Sequence, residues 1–361
     1  MSSPNTLPSE GQNAIKSQPY GTLKDGREVT LFTLQNKNGI TAKVMNFGAT
    51  LTSLLVPDKN GTTSDLVLGF DIFEDWLSNQ PYFGSTVGRY GNRIAGGQFH
   101  LDHKQYSLAK NNEPAGVPCH LHGGLVGFSH VLWDAQVIPH GVQFHYHSKD
   151  GEEGYPGDLK VIVNYTLNEE NELVWQAQAT TNQATPVNLI HHSYWNLSGE
   201  PASSITNHLL TINADRYLPT GADLIPTGEL QPVTGTPMDF RKPKKIGTQI
   251  QEDFPALLHG NGYDHSWVLN GQGMRLAAQA TEPVSGRSLE IFTEQPAVQF
   301  YTANYLDGIQ TGKNGLQYKS RTAFCLETGA FPNSPNSPEF PNCILRPEET
   351  YQHTMKHKFS W

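Results

Sequence analysis

The sequence predicts an all-β chain, a large antiparallel sandwich or barrel, on three observations. Short apolar runs alternate with polar residues at a period of two. Turn-forming residues recur between those runs, with Gly 34 and Pro 24 in 361 residues. Segments with helical spacing are few and short, and strands in this density build all-β layers.

The elements follow in chain order. Residues 1–18 are polar, with few apolar anchors, and read as a disordered tail before a single domain over 19–361. Residues 20–23, the turn Lys24-Asp25-Gly26 and residues 29–34 read as strand, turn and strand. Residues 40–45 and 51–56 come next, the second closed by Pro57 and an Asn60-Gly61 turn, and residues 66–70 form a further short strand. Val142, Phe144 and Tyr146 alternate with Gln143, His145 and His147. Val161, Val163 and Tyr165 repeat that pattern before a turn at 168–171, and residues 173–181 make the return strand. Later strands are expected at 275–280, 288–293, 298–302 and 323–326. Tyr351, His353, Met355, His357, Phe359 and Trp361 share one face of a last strand, and residues 73–79 are the helical candidate. No linker composition divides the chain after Tyr20, and no period of about 20–50 residues suggests a solenoid or propeller.

Composition narrows the partners. The net charge is −9 and charged residues are 16 % of the chain, which disfavours nucleic acid and anionic membranes. No apolar run approaches the roughly 18–20 residues of a membrane span. The N-terminal stretch lacks a basic start followed by an apolar block, so no secretory signal is expected. Cys119, Cys325 and Cys343 form no CxxC pair and read as reduced thiols of a cytoplasmic protein. GxSxG and HExxH are absent. Residues 308–313 approach a phosphate loop but are one residue short, with Asn314 where Ser or Thr is needed, and Gly271-Gln272-Gly273 is an isolated GxG. No cofactor is implied.

Several constellations could carry chemistry. His120-x-His122 and His145-x-His147 have spacings that place two imidazoles on one strand face, without a third ligand at a supporting spacing, so no metal is expected. His191 to Leu197 is a polar and aromatic cluster suited to sugar hydroxyls and C–H faces. Glu327 ends an apolar run, where partial desolvation would raise its pKa towards that of a general base. Arg89 and Arg93 offer planar forks, and Asp264 an acceptor. Each feature has an ordinary structural explanation when taken alone.

Together, and in this order, they form a pattern: Gly88-Arg89-Tyr90-Gly91-Asn92-Arg93-Ile94, Leu121-His122-Gly123-Gly124, His192-Ser193-Tyr194-Trp195-Asn196-Leu197, Gly262-Tyr263-Asp264-His265, Val298-Gln299-Phe300-Tyr301 and Cys325-Leu326-Glu327-Thr328. The set closely resembles the aldose 1-epimerase (galactose mutarotase) family, from about Tyr20 to the C-terminus. The resemblance implies a large antiparallel β-sandwich of the galactose mutarotase type with a sugar site on its concave face. It implies Glu327 and His192 as catalytic residues, and Asn92, Arg93, His122, Asp264 and Gln299 as sugar-binding residues. It implies a small aldose as partner, no cofactor or metal, and a monomer or homodimer. Gly91, Trp195 and His120 depart from common members, the last two beside proposed site residues.

Ring opening of a hexose needs one proton taken from the C1 hydroxyl and one given to the ring oxygen. The expected roles are ionised Glu327 as base and protonated His192 as acid, with His122 sharing the acid role or orienting the ring. Three alternatives share these residues: a glycosidase using Glu327 and Asp264, a non-catalytic sugar-binding module, and an enzyme for hexose 6-phosphates.

Overall fold

Alternating burial along each strand builds the layers of this protein. A computed structural model describes residues 15–361, without the side chains of Ile309 and Gln310. The largest sheet has nine antiparallel strands. Its middle is formed by Leu159–Leu167, Glu172–Thr181, the terminal Tyr351–Ser360 and Ser288–Thr293, hydrogen-bonded in that order. Leu159, Val161, Val163, Tyr165 and Leu167 point inward from the first of these, and Met355 and Phe359 from Tyr351–Ser360. They pack on residues of two five-stranded sheets, among them Val44 and Leu54 of one and Trp267, Phe300 and Leu326 of the other, in one continuous core.

The first five-stranded sheet is a meander: Lys16–Thr22, Glu28–Gln35, Thr41–Met45, Thr50–Pro57 and Thr63–Asp65. The expected tail is corrected here. Lys16, Ser17 and Gln18 pair with Thr33, Phe32 and Leu31, because backbone groups beside an ordered strand gain more from the ladder than polar side chains lose by docking there. Residues 1–14 of that expectation lie outside the described residues.

The second five-stranded sheet contains Asp264–Leu269, Ala297–Tyr301 and Cys325–Gly329 as consecutive neighbours. All five residues of the last are buried, so no alternation marks it in the sequence. Residues 66–70 are not a strand. Val67 makes one bridge to Trp195, and neighbouring polar groups are met by side chains: Lys313 donates to the Val67 carbonyl, and Tyr318 donates to that of Gly69. Lys313 also pairs with Asp65 at 2.7 Å, so the lysine of the near-miss phosphate loop serves the fold. The helix at 73–79 is shorter than expected, Phe73–Trp76, and Pro255–Gly260 is a second that the sequence reading missed.

Candidate active site

Three adjacent strands place one row of polar groups on a single face. Glu327 stands opposite Gln299, and Gln299 opposite Ser266. Cys325, Tyr301 and Asp264 form the next row on the same face, two residues along each strand. Gln299 uses its amide within the sheet: it donates to Asp264 at 2.7 Å and accepts from Ser266. This holds the Asp264 carboxylate in one orientation, with the Arg93 guanidinium 3.8 Å from its second oxygen.

His192 reaches the same place from the strand Ile190–His192. Three residues further on, Trp195 and Phe324 exchange both backbone hydrogen bonds, at 2.7 and 3.0 Å. That antiparallel register sets His192 against Glu327, with Nε2 3.6 Å from Oε2. Glu327 Oε2 is buried and has no hydrogen-bond partner among the described residues, so it faces the cavity as an unused polar atom.

A second small ladder supplies the remaining residues. Arg93–Ala95 pairs with Cys119–Leu121, and Asn92 and His122 face each other just past its Arg93/Leu121 end, at φ 67° and 51°. Each holds the other in this uncommon left-handed conformation: Asn92 N–H donates to His122 Nδ1 at 3.1 Å, and His122 N–H to the Asn92 carbonyl at 3.2 Å. Gly123 is required beside them, because a Cβ there would fall on the Gly88 carbonyl. Gly91 leaves room for the side chain of Ile190, which a Cβ would meet.

All seven expected site residues line one open cavity of about 680 Å³. Tyr82, Tyr194, Tyr301 and Tyr305 add aromatic wall, and Tyr82 lies 4.7 Å from the His122 ring centre. Tyr82 and Tyr305 were missed by sequence reasoning. Nothing local marks them, since loops distant in sequence bring them to the cavity. Arg89 turns away and is spent on Ser148 and the carbonyls of Lys149 and Pro156. The His120-x-His122 pair does not share a face. His120 is buried between the Ala109 carbonyl and the Tyr155 hydroxyl, while His122 lies past the strand end in the cavity wall. Trp195 packs in the core on His357 and Phe359. The two departures thought to bear on the substrate therefore sit outside the cavity lining.

Burial dominates the electrostatics. It pushes the Glu327 carboxyl well above the usual carboxylate range, with Asp264 adding to the rise and Arg93 opposing it. It pulls His192 down to about 4 and His122 well below the usual imidazole range. Asp264 is raised by burial, against Arg93 and Gln299. The cause is common to these groups: removal from water disfavours the charged form of each.

His122, His192 and Glu327 have ligating atoms within 4.8 Å of one another, as a three-residue metal site would. The Asn92 N–H argues against that use. It occupies His122 Nδ1 and thereby fixes the ring proton on Nε2. The cavity thus receives a donor from His122, where a metal needs a lone pair.

Comparisons with known proteins agree with this architecture. The family model described as aldose 1-epimerase matches residues 30–358. Galactose mutarotase from Homo sapiens is 48 % identical over 343 residues, covering 94 % of this chain and 97 % of that protein. Aldose 1-epimerase from Haemophilus influenzae is 38 % identical over 325 residues, covering 88 % and 91 %. Among solved structures, an aldose epimerase homologue from C. elegans superposes with a TM-score of 0.84 at 33 % identity, covering 91 % of this chain and 98 % of that one. Galactose 1-epimerase from Lactobacillus acidophilus gives 0.83 at 29 %, covering 96 % and 98 %. The fold and the sequence similarity are those of an isomerase acting on carbohydrates. The chain belongs to the aldose 1-epimerase family.

Proposed function

We propose that this protein interconverts the α and β anomers of free hexoses such as galactose and glucose, with Glu327 and His192 as its proton-transfer pair. The observation that carries the reading is the unpartnered, buried Glu327 Oε2, 3.6 Å from His192 Nε2 in the cavity wall.

The chemistry needs a single proton held by that pair. The C1 hydroxyl gives its proton to the Glu327 carboxylate as the C1=O bond forms. The C1–O5 bond breaks, and O5 takes a proton from His192 Nε2. The open aldehyde turns about C1–C2, and the reverse transfers close the ring on its other face. With one proton between them the pair can be neutral or an ion pair, and the two forms differ only in where that proton sits. A sugar O1–H donating to Glu327 and an O5 accepting from His192 favour the ionic arrangement once water is displaced. Each well-placed proton-transfer group is worth about 10²–10⁴ in rate. His122 Nε2–H adds a fixed donor for the ring or anomeric oxygen. Asp264, aimed by Gln299 and Arg93, accepts from a hydroxyl away from C1, and Asn92 and Arg93 bound the same side. The sugar is thereby gripped everywhere except at its reacting end.

Polarimetry of freshly dissolved α-galactose and α-glucose tests the reading. Optical rotation should relax to equilibrium faster in proportion to added protein, with or without a chelator. Sugar binding with no acceleration would overturn it and favour a binding module. Loss of activity on chelation would contradict the metal-free scheme.

A further inference from the structure

Behind the catalytic pair, on the side away from the cavity, one buried imidazole touches both strands that carry it. His353 belongs to the terminal strand Tyr351–Ser360 and is 1 % exposed. Its Nδ1 lies 3.0 Å from the Leu189 carbonyl, three residues before His192. Its Nε2 lies 2.8 Å from Oγ1 of Thr328, the residue after Glu327. A carbonyl only accepts, so Nδ1 carries the ring proton and Nε2 accepts from the Thr328 hydroxyl. Tyr351, two residues earlier on the same strand, accepts from the Leu189 N–H at 3.1 Å, so both polar backbone groups of Leu189 are held by this strand. Thr328 is fully buried and, by strand alternation, faces opposite to Glu327. Trp175 packs edge-on against the imidazole, with ring centres 5.0 Å apart, and fixes its plane.

We propose that His353 is a positioning residue. Bridging the Leu189 carbonyl to the Thr328 hydroxyl, it sets the separation of His192 and Glu327 and so controls the rate of proton transfer without touching the sugar. This rests on the acid–base reading above. His192 and Glu327 come from separate strands, and at 3.6 Å their side chains are not joined by a hydrogen bond. Their spacing must therefore come from the scaffold, and near-attack geometry is sensitive to displacements of about 1 Å.

Thr328→Val tests this, because it removes the hydroxyl and preserves the shape. We expect kcat in hexose polarimetry to fall about tenfold or more, with KM within about twofold of the native value. Thr328→Ser, which restores the hydroxyl, should recover most of the rate. In a Glu327→Gln background, Thr328→Val should add little, since the pair it positions is already disabled. His353→Phe should reproduce Thr328→Val. If that variant does not fold, the isosteric Thr328→Val alone decides.

The inference is overturned if Thr328→Val keeps its kcat, if its loss lies in KM, if Ser does not rescue it, or if its full effect persists beside Glu327→Gln. A Thr328→Val protein that no longer folds also overturns it, since the contact would then serve the core alone. Failure of the underlying reading looks different: Glu327→Gln itself would remain active.

Discussion

Replacing Glu327 with Gln keeps the side-chain shape and removes the carboxyl to which the scheme assigns proton exchange with O1. Glu327 is 4 % exposed and Oε2 has no partner to lose, so little reorganisation should follow. The rate effect should be that of deleting a positioned base, about 10²–10⁴ in kcat, equivalent to roughly 3–5 kcal/mol of transition-state stabilisation. Stability supplies an independent readout. Burial raises the carboxyl well above its ordinary value of 4.5, so the folded protein holds this proton more tightly than the unfolded chain. The contribution is fully present below pH 4.5 and is lost as pH rises through the folded pKa. Each pH unit in that window costs the native protein about 1.4 kcal/mol. For a chain of this size that is roughly 2 °C in Tm per unit. The Gln variant escapes this loss. Its Tm relative to the native protein should therefore climb as pH rises from about 4.5 through the raised folded pKa, while its activity is nearly gone. Polarimetry and calorimetry at matched pH check both. A variant within a few-fold of the native rate, or a Tm difference independent of pH, would refute the reasoning.

Further consequences follow from the same geometry. Because the reacting pair holds one proton, kcat/KM should fall on its acid limb near pH 4, where burial places His192. The alkaline limb should lie well above the ordinary carboxylate range. A decline already under way at pH 6.5, as for a free imidazole, would contradict this. Asp264→Asn removes the charge that Arg93 and Gln299 hold in place. It should raise KM for galactose about tenfold while leaving kcat within roughly threefold, and the converse pattern would place Asp264 in the proton transfer. Acid should unfold the protein through its buried imidazoles. Burial depresses His265 and His353 to about 3 and His208 and His357 to about 4, below the unfolded value of 6.5. Their contribution to stability should thus be full above pH 6.5 and drain as pH falls towards 3. A urea midpoint unchanged between pH 6.5 and 4 would show that these rings are not buried neutral.

Legibility in the sequence followed solvent contact. Strands with one face towards water kept their alternation. Ser288–Thr293 was read at its observed bounds, and Glu172–Thr181 and the terminal strand within a residue of theirs. Trp361, assigned to the last strand's inner face, lies beyond its end and is 37 % exposed. Asp264–Leu269 was not read as a strand at all, because five of its six residues are buried and both faces look alike. The same cause hid most of Cys325–Gly329, whose start was placed two residues early. The site was legible as an ordered set of motifs, and their residues do line one cavity. Their protonation was legible in part: desolvation was expected to raise Glu327, while the depression of His192 had no local signal. It depends on how completely the sheet and the Asn92–His122 corner shut out water, which is a property of packing. The support beneath the pair was not legible: His353 read only as one of several inward residues on a strand, with nothing to signal that its ring meets Leu189 and Thr328.

A hexose-bound crystal structure bears most directly on the scheme. It should show O1 within hydrogen-bond reach of the Glu327 carboxyl and O5 within reach of His192 Nε2, both on the same sugar, with C1 between them. A sugar seated with its anomeric end elsewhere, or with only one of those oxygens reachable, would contradict it.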